Sequence, residues 1–482
     1  MSNKIVSSFF WNLVEILSTQ LVNLASMLVL SHLLLPEQFG LVATCSIFIA
    51  VSQVLIDGGF TQALIRKQDC TDRDYSTVFW FNILLSVAIY LLLFFAAPFI
   101  ANFYHQPELQ PILRVLMLVL PIAALSIIQR TILVKAYRFR VQTIVNFISV
   151  TVGFVVALVM VLRGYGVWGI VCKQVLIQVI VTIGYWIVGA WRPTLQFSRD
   201  SFRTLFGFGS KLMIVNTLAT LFANVYKHII AKHYSQEELG YYDRADVLTS
   251  VLSNIFSTML NKVGYNALSE KQHDNDLFVS ALRQMMMPFY YVVFLMFGVL
   301  VAMSHDLIPA LLGEVWQPAS FYFAMICIAY SSIVMHLTNQ LILNVKGRSD
   351  LFLRTEVIKY LLFIPVIIIG IRCGIRWLIV AFVVHYWLGF FINALYSKKI
   401  VGYGILSQLK DMIRPMALAI VVALLTFTVT LFCTTSHWLV VALQLVLALV
   451  ATVALSLIFK IEVFNQLKNT VLSFVHKDSS ND

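Results

Sequence analysis

Charge is what this sequence has least of. Only 12% of its 482 residues are Asp, Glu, Lys or Arg, where a soluble domain carries roughly 25%. With 60% hydrophobic residues and a mean hydropathy of +0.86, an ordinary globular enzyme is excluded and a lipid bilayer becomes the expected solvent. Paired cysteines are also missing. The six cysteines at 45, 70, 172, 327, 373 and 433 are scattered without a C-x-x-C, which excludes a disulfide frame and a cysteine metal site and leaves small apolar side chains. No cleavage pattern follows the first apolar run, which contains Glu15, so that run reads as a retained helix and not a signal peptide. There is no G-x-x-x-x-G-K-[ST], H-E-x-x-H or G-x-S-x-G, and so no sign of an ATPase, a zinc protease or a serine hydrolase. The stretch "GYGVWG" (164–169) matches G-x-G-x-x-G. That motif needs a strand before it, and here it joins two apolar runs, where its glycines suit a tight hairpin. No cofactor and no metal are expected. The net charge of +11 comes without a basic stripe interleaved with aromatics, so no nucleic-acid partner is expected either.

What the sequence has in abundance is long apolar runs. Crossing the hydrocarbon takes about 20 residues of helix, and fourteen segments qualify: 6–31, 39–57, 76–101, 110–134, 142–163, 166–190, 205–231, 240–264, 281–303, 318–342, 353–371, 375–396, 414–433 and 438–459. The connections between them are short. With the N-terminus placed in the cytoplasm, 22 Lys and Arg fall in cytoplasmic connections and 4 in the opposite ones. This asymmetry puts both termini in the cytoplasm. The fold class is an all-α polytopic membrane protein.

The chain also echoes itself. "PEQFGLVATC" (36–45) corresponds to "QEELGYYDRA" (236–245), Ala63-Leu64 to Ala267-Leu268, Lys135 to Lys346, and Trp168 after "RGYGV" to Trp377 after "RCGI". The unit implied is six helices, repeated in parallel. The organisation is then an N-terminal six-helix bundle (1–190), a cytoplasmic linker (191–204), a second six-helix bundle (205–400), and two further helices with a tail (401–482). Duplicated bundles are common in transporters, with the substrate at their interface.

Polar residues run through the apolar segments in stripes. Ser8, Asn12, Glu15, Thr19, Asn23 and Ser26 are spaced four, three, four, four and three apart, which puts them on one helix face. Ser46, Gln53 and Asp57 share an arc, as do Asn216, Thr220, Asn224 and Lys227, and as do Asp243, Ser250, Asn254, Ser257 and Asn261. A carboxylate facing lipid costs about 3 kcal/mol at mid-membrane, so these faces must turn toward protein or water. They either line a solvated cavity or glue helices together. Read as a cavity, the substrate-binding candidates are Asn12, Glu15, Thr19, Asn23, Gln53, Asp57, Lys173, Asn216, Asn224, Lys227, Arg244 and Asn254. Lys173, Lys227 and Arg244 lead as anion binders, whereas Arg130 and Lys262, near helix ends, suit snorkelling to headgroups. The acids Glu15, Asp57 and Glu356 can neutralise these cations or take a coupling proton or sodium ion.

The ordered set "LSHLLLPEQFGLVA", "DGGFTQALIRKQD", "GYGVWGIV", "WRPTLQFS", "FGFGSKLM" and "LGYYDRA" resembles the Wzx-type polysaccharide flippases of the multidrug/oligosaccharidyl-lipid/polysaccharide exporter superfamily. The resemblance covers nearly the whole chain and is weakest after residue 400. It implies two six-helix bundles plus two C-terminal helices, alternating access, and a bacterial inner-membrane location. The implied substrate is an undecaprenyl-pyrophosphate-linked oligosaccharide used to build O-antigen, capsule or exopolysaccharide. A polysaccharide polymerase is a partner such a transporter can serve. A cation-coupled drug exporter of the same superfamily and a membrane glycan polymerase or ligase are the alternatives.

Overall fold

The computed structural model describes residues 2–67, 69–433, 436–461 and 463–464, without the side chains of 2–10, 12, 13, 261–263, 265–267, 349 and 353. The stripe members Ser8, Asn12 and Asn261, and the basic residues Lys4, Lys262, Lys468 and Lys477, therefore lie outside the described residues.

Among the described residues the chain forms helices and no strand. In order these are α1 (Ser2–Leu33), α2 (Pro36–Asp57), α3 (Phe60–Arg66), α4 (Asp72–Phe103), α5 (Leu109–Leu116), α6 (Val119–Lys135), α7 (Phe139–Leu162), α8 (Val167–Val188), α9 (Arg199–His233), α10 (Gln236–Ser269), α11 (Asn275–Leu312), a 3-10 turn (Glu314–Trp316), α12 (Ala319–Tyr330), α13 (Ile333–Val345), α14 (Ser349–Cys373), α15 (Ile375–Val401), α16 (Ile405–Phe432) and α17 (His437–Ile458). Three expected rods are broken: at Gly58–Gly59, at Met117–Leu118 and at Ser331–Ser332. Counting each broken rod once recovers the fourteen expected segments.

Twelve of these rods are long and apolar enough to cross a membrane. The expected spans at 240–264 and 353–371 do not meet that composition. The first lies in α10, with Asp243, Arg244 and Asp246, and the second in α14, with Arg354, Glu356 and Lys359. Several rods also overrun the expected ends. α9 begins at Arg199, inside the expected linker, and α11 runs on to Leu312, so most of the connection expected between 303 and 318 is helix.

By contact the chain divides into two compact units, Met1–Asp243 and Arg244–Asp482. The division does not fall at 191–204, because that segment is strapped to α4. Ser76 and Thr194 share a hydroxyl hydrogen bond of 3.0 Å, Trp80 Nε1 donates to Thr194 O at 2.9 Å, and Ser198 N donates to Thr77 Oγ1 at 3.0 Å. α9 then packs on α2, α3 and α4. Under this face Phe60, Leu64, Val78, Phe79, Ile128 and Leu205 form a buried apolar cluster. Elsewhere in the first unit α7 packs on α8 and α1, and α6 on α4 and α8. In the second unit α11 is the hub, against α12, α16 and α17, while α15 packs on α12, α13 and α14.

One feature repeats between the units. Lys135, ending α6, donates to Leu64 O at 3.0 Å and Lys67 O at 2.7 Å, which fastens the connection between α3 and α4. Its sequence counterpart Lys346, just beyond α13, donates to Gln272 O and to Asn275 Oδ1 at 2.7 Å, which fastens the connection between α10 and α11. The "GYGVWG" stretch is the tight hairpin between α7 and α8. Gly164 and Gly166 hold φ of 86° and 54°, a left-handed backbone that glycine adopts without penalty.

Candidate functional site

The N-termini of α2 and α10 cross at glycine. A Cβ on Gly40 would lie 1.9 Å from the carbonyl oxygen of Gln236, and one on Gly240 would lie 2.0 Å from that of Pro36. The two glycines are counterparts in the sequence repeat, and each accommodates the other's helix start. Thr44 adds a hydrogen bond to Gln236 Oε1 at 3.0 Å, fully buried. Near the other end of α2, a Cβ on Gly59 would lie 2.4 Å from Gly209 O of α9. Backbones approach this closely only where side chains are absent.

The stripe on α1 divides once it is packed. Glu15 is half-buried and accepts a hydrogen bond from Asn146 Nδ2 of α7 at 2.5 Å; Asn146 Oδ1 in turn accepts from Tyr185 OH of α8 at 3.3 Å. Ser26 is buried and accepts from Lys173 Nζ of α8 at 2.5 Å. Thr19 donates to the carbonyl of Glu15 at 2.6 Å, while Asn23 is exposed. The packed part of the face therefore joins helices. Glu15 and Ser26 tie α1 to α7 and α8, and Asn23 remains open.

On α2, Gln53 is exposed. Asp57 accepts from the Thr61 hydroxyl. It thus ties the end of α2 to the first turn of the short α3. Arg130 of α6 acts electrostatically on Asp57 and on Tyr185. It is exposed and makes no hydrogen bond or ion pair among the described residues. It lies in the last turns of α6, as its expected place near a helix end requires, and within electrostatic reach of Asp57 of α2 and Tyr185 of α8.

The candidates on α9 and α10 are placed differently from one another. Lys227 Nζ forms an ion pair with Asp243 Oδ1 at 2.9 Å, the two side chains being 14% and 7% exposed. Asn224 Nδ2 donates to Thr220 O of its own helix at 2.8 Å, and Asn216 is exposed. In the second unit Arg244 is half-buried and Asn254 exposed. Glu356 is held by Lys359 one turn along α14. Gly389 of α15 presses on His336 and Lys359, and His336 Nε2 lies 2.8 Å from Tyr386 O, so this part of the unit is polar and closely packed.

These details are those of a polytopic helical protein with polar and charged side chains inside its spans, and comparison with known proteins gives the family. Residues 29–321, more than half of the chain, match the family model described as "Polysaccharide biosynthesis protein". The chain belongs to the polysaccharide biosynthesis protein family. Among curated members similar to it are the teichuronic acid biosynthesis protein TuaB of Bacillus subtilis, 24% identical over 353 residues with 73% of each chain covered, and the lipopolysaccharide biosynthesis protein WzxC of Escherichia coli, 21% identical over 378 residues with 77% of this chain and 76% of that protein covered. The fold is shared with the lipid II flippase MurJ in an inward closed conformation, at TM-score 0.72 and 15% identity over 96% of this chain and all of that one. It is shared also with an inward-facing multidrug resistance MATE family transporter of the MOP superfamily, at TM-score 0.61 and 13% identity over 80% and 94% of the two chains.

Within this family member, sequence reasoning had named Glu15, Asp57 and Lys227 without their partners. It missed Asn146 and Tyr185, which belong to no stripe. The reciprocal fit of Gly40 and Gly240 was legible only as a matched pair in the repeat.

Proposed function

We propose that this chain is a flippase that carries undecaprenyl-pyrophosphate-linked oligosaccharide across the bacterial inner membrane for surface polysaccharide synthesis, with both termini cytoplasmic. Family membership supports the pathway. The observation that carries the transport reading is polar and cationic side chains built into apolar spans, with Arg130 making no ion pair among the described residues.

The chemistry fits such a cargo. Hydroxyls and phosphates cannot enter hydrocarbon unpaired. Exposed Gln53, Asn23, Asn216 and Asn254 offer amides that replace water around sugars. Arg130 offers the fork of donors that matches phosphate oxygens. Lys173, Lys227 and Arg244 are the other cations of the path, and Glu15, Asp57 and Glu356 its acids. All three acids already hold donors within their own unit, Asn146 on Glu15, Thr61 on Asp57 and Lys359 on Glu356. A proton or sodium ion coupled to these acids can drive transport, and a polymerase can consume the product. The chain itself makes and breaks no covalent bond in this reading.

Deleting the gene is expected to leave lipid-linked glycan on the inner leaflet. Build-up on the outer leaflet instead would identify a polymerase or ligase, and unchanged glycan with altered drug efflux would identify a drug exporter. Arg130→Ala is expected to lower polymer export about tenfold, given about 1.5–3 kcal/mol for a hydrogen bond to a charged group, with normal membrane abundance. Arg130→Lys retains part of the rate. Full export by Arg130→Ala would remove Arg130 from the path.

A further inference from the structure

The outer ends of α11, α16 and α17 enclose a group of titratable side chains that transport does not use. Asp306 of α11 is 4% exposed. Its Oδ2 accepts from Thr430 Oγ1 of α16 at 2.8 Å and faces Gln444 Nε2 of α17 at 3.5 Å; Gln444 also donates to Thr430 Oγ1 at 2.7 Å. Its Oδ1 faces two imidazoles, His305 Nδ1 at 3.4 Å and His437 Nδ1 at 3.1 Å. The other nitrogen of His437, Nε2, lies 3.1 Å from Glu314 Oε1 of the 3-10 turn, a carboxylate 76% exposed.

Both ring nitrogens of His437 thus face carboxylate oxygens. A neutral imidazole has a single N–H, and an ionised carboxylate only accepts. The two contacts can be made together only when the group holds one more proton, either on the ring as imidazolium or on Glu314, which then donates to Nε2. A buried carboxylate without a counter-charge is also costly, and a protonated His437 supplies one to Asp306.

We propose that His437, set between Asp306 and Glu314, is a proton-binding site that fastens the start of α17 and the turn at 314–316 to the end of α11. With the proton bound, both contacts close. As pH rises and the proton leaves, one contact opens and the start of α17 loosens from α11. The titratable groups facing the ring among the described residues are Asp306 and His305 of α11 and Glu314 of the turn; α16 and α17 contribute the neutral Thr430 and Gln444. The site stands on this geometry alone, whatever the cargo. If the topology of the proposed function holds, it faces the outside and senses external pH.

The test is thermal unfolding of the full chain in detergent between about pH 5 and pH 8, where an imidazole changes charge. The wild type is expected to lose stability as pH rises, with up to about a tenfold change in the folded-to-unfolded ratio per pH unit from one linked proton. His437→Gln keeps one donor, cannot take the proton, and is expected to flatten that slope. Glu314→Gln alters a surface side chain that folding tolerates and is expected to flatten it as well. A Glu314→Gln protein with the wild-type slope would overturn the proposal even if His437→Gln failed to fold.

Discussion

Replacing Gly40 by valine is expected to abolish polymer export, and replacing it by alanine to reduce export about tenfold, equivalent to 1.4 kcal/mol. The cause is steric. An added methyl carbon would sit 1.9 Å from Gln236 O, far inside any normal contact, and the atom it meets is backbone, which cannot swing aside. The starts of α2 and α10 must separate, and the buried Thr44–Gln236 hydrogen bond of 3.0 Å breaks with them. Overpacking of this kind costs about 1–3 kcal/mol. Gly240→Ala, which meets Pro36 O at 2.0 Å, should match Gly40→Ala. Gly207 of α9 has open space where its methyl would go, so Gly207→Ala serves as the control and should export normally. The measurements are surface polymer and the yield of monodisperse protein after detergent extraction. Equal export by Gly40→Ala and Gly207→Ala would show that the crossing carries no such constraint.

Lys227→Ala is expected to lower the amount of folded protein in the membrane sharply. It would leave Asp243, with a side chain 7% exposed, as a buried carboxylate without its partner at 2.9 Å. Breaking a buried pair from one side costs about 3–5 kcal/mol, whereas replacing both members by apolar residues of similar volume is often neutral. The double variant Lys227→Met/Asp243→Leu should therefore recover abundance, as measured by quantitative immunoblotting of membranes. Export by the rescued double variant then separates the two roles of Lys227. Recovered export assigns the lysine to the fold, and folded but inactive protein assigns it to the cargo. Normal abundance of the single variant would mean that the pair does not stabilise the unit.

The rods were legible because hydrocarbon imposes length and apolarity on a helix. α10 is the instructive case. Asp243, Arg244 and Asp246 keep it below the apolarity of the other spans, while its counterpart in the repeat, α2, is plainly apolar. The breaks within rods were less legible. Gly58–Gly59 announces itself, whereas Met117–Leu118 is apolar on both sides and its interruption follows from packing. Of the candidate site, spacing placed Glu15 and Ser26 on one face, but spacing within a helix says nothing of Asn146 or Lys173 on other helices. Asp57 read as an acid of the polar arc on α2; the positive φ of Gly58 and Gly59 turns the chain so that it also holds the Thr61 hydroxyl of α3. Arg130 belonged to no stripe, and its electrostatic reach to Asp57 and Tyr185 on two other helices could not be read from its position near a helix end.

The lysine fastenings have a bearing on how duplicated segments diverge. Lys135 grips the main-chain oxygens of Leu64 and Lys67, and Lys346 that of Gln272. Every amino acid supplies a carbonyl, so those bonds are blind to the side chains of the segment they hold; only Cys70 Sγ at 3.1 Å in one copy and Asn275 Oδ1 at 2.7 Å in the other add a side-chain acceptor. The connections "LIRKQDC" and "LSEKQHDN" can therefore differ in composition and length while a single ammonium closes each of them.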